Sequence, residues 1–171
     1  MAAGVGAGVL ALAAGLLTAP AVASARPAEV WTGTVTHVTD GDTLWVRPAR
    51  DGAPVKIRLH GVDAPERCQA GGPEATRWLQ THAQGRKVQV RSRARDDWGR
   101  VVAVVRLAPG REDLGAALVG AGWAWDAGWG RRPGPYQQAE AEARRARRGL
   151  HAGASPQRPR DFRRQHGSCP R

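Results

Sequence analysis

The strongest constraint on this chain is the alternation of apolar and polar side chains between Glu29 and Leu107. Val55, Ile57 and Leu59 alternate with Lys56, Arg58 and His60, and Val88 and Val90 alternate with Lys87, Gln89 and Arg91. A strand sends successive side chains to opposite faces, so this period marks a sheet with one face buried. Val30 to Val38 is rich in Thr and Val, Thr43 to Arg47 is a second short run, and Val101 to Leu107 is almost continuously apolar. That last run predicts a strand covered on both faces. Five candidate strands, with a helix inserted after the third, suit a small closed barrel better than an open sheet with edges to cover.

Helical spacing appears in three places. Pro73 to Ala83 sets Ala75, Trp78, Leu79 and His82 on one face, with Pro73 suited to the first turn. Glu112 to Ala121 places Leu114, Ala117, Leu118 and Ala121 at helical intervals, and Pro135 to Arg148 does the same for Tyr136, Ala139 and Ala143 before Gly149 stops it. The class is therefore α+β, mainly β. The length of 171 residues allows one modest domain, assigned to residues 29–152. Residues 153–171, with Pro156, Pro159, Pro170 and many arginines, are expected to form an extended basic tail.

Residues 1–25 carry no charged side chain and end in Ala23-Ser24-Ala25, the pattern of a signal peptide's apolar core and cleavage site. The expected location is secreted or extracellular. An uncleaved segment of this length would instead anchor the protein to the cell envelope. Two cysteines, Cys68 and Cys169, suit an oxidising compartment, where an even count allows one disulfide. Neither belongs to a Cys/His ligand pattern, which argues against zinc. With 26 Lys and Arg against 15 Asp and Glu, the net charge of +11 favours a polyanionic partner, nucleic acid or an anionic membrane.

Three short blocks carry chemistry. Asp40-Gly41-Asp42-Thr43 marks a tight turn opening the second strand. In Arg58-Leu59-His60-Gly61-Val62-Asp63-Ala64-Pro65-Glu66 a strand delivers Arg58 and a turn brings Asp63 near Glu66. Asp97-Trp98-Gly99-Arg100 enters the fifth strand. Phosphodiester cleavage needs a hard cation and fixed donors for charge gathering on the phosphoryl oxygens. Two carboxylates, a backbone carbonyl and water suit Ca²⁺ or Mg²⁺. Guanidinium groups grip phosphate in a fork that Lys cannot form. A further carboxylate can orient water or take its proton. Asp42 and Asp63, Arg58 and Arg100, and Glu66 make up that set.

Together and in this order, the blocks resemble the active-site pattern of the staphylococcal-nuclease-like (thermonuclease) family, over roughly Trp31 to Ala152. Tyr136-x-x-Ala139-Glu140 and Arg147-Arg148-Gly149-Leu150 are similar to that family's closing helix. The resemblance implies a five-stranded OB-fold barrel with three helices and a Ca²⁺-dependent endonuclease that leaves 3′-phosphates on DNA or RNA. It implies Asp42, Asp63 and the Ala64 carbonyl as metal ligands, with Asp40 beside the metal. Glu66 would be the general base, and Arg58 and Arg100 would hold the scissile phosphate. Trp98 stands where the founding nuclease has Tyr, and the segment Arg67 to Gly72 is shorter than that enzyme's mobile loop.

Trp98, Trp125 and Trp129 are candidates for stacking on nucleic-acid bases, Trp125 and Trp129 because they lie among glycines. Cys68 and Cys169 are expected to pair, tying the tail beside Glu66. No obligate protein partner is evident and a monomer is expected. The alternative is an OB-fold module that binds nucleic acid without cutting it.

Overall fold

Among the described residues of the computed structural model, seven strands run in chain order as β1 (Val30–Asp40), β2 (Thr43–Pro48), β3 (Val55–Leu59), β4 (Val62–Asp63), β5 (Lys87–Arg95), β6 (Val101–Leu107) and β7 (Trp125–Asp126). The structure describes residue 1 and residues 29–128, 132–153 and 155–170. The signal-peptide segment beyond its first residue, and Trp129, lie outside the described residues. Five strands close a barrel in the order β1-β2-β3-β6-β5, completed by antiparallel pairing of β1 with β5. Within the barrel β3 and β6 pair in parallel and the other neighbours antiparallel. Closure removes the exposed edges that an open sheet of this size would carry.

The period-two pattern fills the interior. Val35, Leu44, Val46, Ile57, Leu59, Val88, Val90, Ala103 and Val105 are each at most 1% exposed. Burial of each larger side chain contributes about 1.5–3 kcal/mol. In β6, Val101, Ala103, Val105 and Leu107 point inward, but Val102 and Val104 are only half-buried and Arg106 is exposed. The expectation of a strand covered on both faces is corrected: among the described residues that side of the barrel is only partly covered.

Helix α1 (Gly72–Ala83) packs Ala75, Leu79 and Ala83 inward. Helix α2 (Leu114–Gly120) begins two residues later than its periodicity suggests, because the Asp113 side chain caps it by accepting from the N–H groups of Gly115 and Ala116. Helix α3 (Gln137–Arg145) ends early, and a 3-10 turn over Gly149–Ala152 follows.

The C-terminal segment departs from expectation. It forms a fourth helix, α4 (Pro159–His166), where an extended tail was predicted. Pro159 presets the first turn, but eight residues do not hold a helix in water unaided. Anchors outside the helix stabilise it. Gln69 Nε2 donates to the Gln157 carbonyl at 2.7 Å, Arg158 meets Glu140 at 2.9 Å, and Cys169 is disulfide-bonded to Cys68.

Candidate active site

The β1–β2 hairpin places the first carboxylates. Asp40 pairs with Thr43 across the turn, leaving Gly41 and Asp42 as its two central residues. A side chain at Gly41 would come within 2.7 Å of the Ala64 Cβ and 3.0 Å of the Ala75 Cβ, so the turn packs here only with glycine. Asp40 Oδ1 accepts from the Asp42 N–H at 3.2 Å, and the Thr43 hydroxyl donates to Asp42 Oδ1 at 2.9 Å. Asp42 is thereby fixed and nearly buried.

On the neighbouring strand Arg58 lies directly opposite Thr43. Its Nη2 reaches Asp42 Oδ2 at 3.1 Å and Asp63 Oδ1 at 3.7 Å, and donates to the Val62 carbonyl at 3.4 Å. Asp63 is set by the β4–β7 pairing, opposite Trp125. The chain then turns tightly through Glu66. Gln69 Oε1 accepts from the Glu66 N–H at 3.1 Å, and the Gln69 N–H donates back to the Glu66 carbonyl at 2.8 Å. A Cβ on Gly72 would lie 2.0 Å from that carbonyl, so the short Arg67–Gly72 segment depends on glycine at its end.

Arg100 arrives from the β5–β6 turn. Asp96 Oδ1 accepts from its N–H at 2.9 Å and Asp96 Oδ2 from its Nε at 2.7 Å. Its Nη1 reaches the Thr43 hydroxyl at 3.4 Å, so Thr43 links the hairpin carboxylate to the second arginine. Asp40, Asp42, Arg58, Asp63, Ala64, Glu66, Trp98 and Arg100 all line one open cleft.

Two residues that the sequence does not assign to this site belong to it. One is Asp96; the only local signal for it is a carboxylate four residues before Arg100 at a turn. The other is Arg163 of α4, whose Nη1 meets Glu66 Oε1 at 2.6 Å and whose Nη2 meets Asp63 Oδ1 at 3.2 Å. The Cys68–Cys169 pair was the one signal that could have brought it here.

The tryptophans separate. Trp98 is 79% exposed at the cleft rim, with the Arg100 guanidinium 5.4 Å from its ring centroid. Trp125 is corrected: it is 2% exposed and packs edge-on against His151. Its place in β7 turns it into the interior, so it offers no face to a base.

Negative charge is concentrated here. Burial, and then the charge of Asp42, push the Asp40 carboxyl up to about 6. Burial also raises Asp63; Arg163 and Arg58 pull it back down, while Asp42 pushes it further up. Carboxylates that repel one another in this way would be relieved by a cation. Among the described residues no three His, Cys, Asp or Glu side chains form a metal-binding group. A cation would rest on Asp42 and Asp63 with backbone oxygen and water, a donor set suited to a hard divalent ion.

Residues 56–152 match the family described as staphylococcal nuclease homologue, a span that takes in Arg58, Asp63, Glu66 and Arg100 but not Asp42. An uncharacterized endonuclease of Escherichia coli is 35% identical over 127 residues, covering 74% of this chain and 81% of the relative. A micrococcal nuclease of Shigella flexneri is 34% identical over 141 residues, covering 77% and 80%. A probable endonuclease of Clavispora lusitaniae is 32% identical over 168 residues, covering 78% and 72%.

Proposed function

This chain belongs to the staphylococcal nuclease homologue family, and we propose that it is an exported, calcium-dependent endonuclease hydrolysing phosphodiester bonds of DNA or RNA. The observation that carries this reading is the convergence of two aspartates, a glutamate and two arginines from four separate segments on one cleft. Its relatives are named as endonucleases or a micrococcal nuclease. The disulfide and the apolar residues 1–25 support export.

The chemistry follows from the residues. Arg58 and Arg100 bind non-bridging phosphoryl oxygens, and their charge matters most as those oxygens gain charge in the transition state. Arg100 is pre-aimed by Asp96, so little order is lost when substrate arrives. Glu66 orients a water and accepts its proton as the oxygen bonds to phosphorus. The bond to the 5′-oxygen breaks, and that oxygen takes a proton from solvent water, leaving a 3′-phosphate and a 5′-hydroxyl. Asp42, Asp63 and the Ala64 carbonyl would hold Ca²⁺, which when bound supplies charge neutralisation at the phosphate. Trp98 at the rim offers a ring to an unpaired base.

The test is incubation of the chain with labelled single- and double-stranded DNA and RNA, with Ca²⁺, with Mg²⁺ and with chelator. Internal cuts that need Ca²⁺ and yield 3′-phosphate ends are expected. Retention of nucleic acid without cleavage in any metal would establish a binding module instead.

A further inference from the structure

We propose that Arg163 is a positioning residue of this active site, so that the C-terminal segment is part of the catalytic apparatus. The inference rests on the phosphodiesterase reading above. One guanidinium spans Asp63 and Glu66, the carboxylates assigned to the cation and to the water. A planar fork fixed to two carboxylates sets their relative orientation, which a single-point ammonium cannot do. Arg163 engages Oδ1 of Asp63 and Oε1 of Glu66, so its fork takes one oxygen of each carboxylate and not both.

The delivery of Arg163 points the same way. Helix α4 is clamped before its start by Gln157 and Arg158 and after its end by Cys169 and Pro170. Three of these ties land on Arg67, Cys68 and Gln69, the residues that directly follow Glu66. The loop carrying Glu66 and the helix carrying Arg163 are therefore stitched to each other. Stability alone does not account for the arginine, since an ion pair in which Arg163 is 38% exposed is largely screened by solvent and contributes little. Misplacing a reacting group by about 1 Å, by contrast, can cost about a hundredfold in rate.

The experiment compares wild type, Arg163→Ala and Arg163→Lys by steady-state cleavage, thermal melting and calorimetric titration with Ca²⁺ alone. Arg163→Ala should melt as wild type does, lose at least about tenfold in kcat and keep KM within about twofold. Free guanidinium salt at millimolar concentration should restore part of its kcat, and Arg163→Lys should recover little. Ca²⁺ should bind Arg163→Ala at most about fivefold more tightly, the scale of an exposed ion pair. Reducing the disulfide with a thiol should lower kcat in wild type but leave Arg163→Ala unchanged. Wild-type kcat in Arg163→Ala would overturn the inference alone. So would a raised kcat with much tighter Ca²⁺ binding, which would make Arg163 a plug. Absence of cleavage by wild type in every metal would overturn the phosphodiesterase reading and this inference with it.

Discussion

Asp96 holds Arg100 by two bonds at once, one carboxylate oxygen on its backbone N–H and the other on its Nε. Burial pushes the Asp96 carboxyl up, but the bonds and charge of Arg100 together with the Trp98 N–H outweigh it and hold it below the usual carboxylate range. The carboxylate thus stays charged and fixes the direction of the two terminal nitrogens. Asp96→Asn keeps the size and loses the charge. It should lower kcat by about tenfold, less than deletion of the arginine itself, with KM little changed. Steady-state kinetics check this, and a change in KM alone would contradict it.

Trp98 and Trp125 should behave as opposites. Trp98→Ala should leave the melting temperature unchanged and weaken single-stranded substrate binding by about 1–3 kcal/mol, the contribution of one stacked base. Trp125→Ala should destabilise the fold by about 3–5 kcal/mol, as for other buried aromatics. Chemical denaturation and equilibrium binding separate the two effects.

His151 makes stability pH-dependent. Its ring is buried, its Nε2 has no hydrogen-bond partner among the described residues, and burial followed by the Arg144 charge lowers its pKa. Burial and Arg93 lower that of His60 in the same sense. At these two rings the unfolded chain therefore binds more protons from about 6.5 downward. Their contribution to stability should be full above that pH and fall as the pH drops through the lower folded values. Asp40, held up at about 6, and the raised Asp63 act in the opposite sense in this window, so the test is the difference between variants. From pH 7.5 to 5.5, urea unfolding should show wild type losing stability relative to His151→Phe. Equal changes in the two would contradict this role of His151.

The disulfide joins residues 101 apart in sequence and so restrains most of the unfolded domain. Replacing both cysteines by Ser should cost about 2–4 kcal/mol. Denaturant midpoints of oxidised wild type and the double variant test it; an unchanged midpoint would show that the tether orders only the C-terminal segment.

The barrel was legible because its strands alternate with period two, and the five site residues because they sit in local blocks at strand ends and turns. Helix α4 was not legible. It has no apolar stripe beyond Phe162, and its ties to Glu140, Cys68 and Gln69 are distant in sequence. Trp125 was misplaced because its glycine-rich surroundings suggest a loop. Pairing with Asp63 across two short strands carries it inward. Asp96 acts on the site through Arg100, and its place four residues before that arginine at a turn is too common a pattern to mark it.

Phosphate-gripping arginines are the centre of the proposed chemistry, and single-turnover cleavage by Arg58→Ala and Arg100→Ala tests them most directly. Each variant, folded by circular dichroism and saturated with Ca²⁺, should cut at least about a hundredfold more slowly than wild type. Near wild-type rates in both would contradict the assignment of this cleft as a phosphodiesterase site.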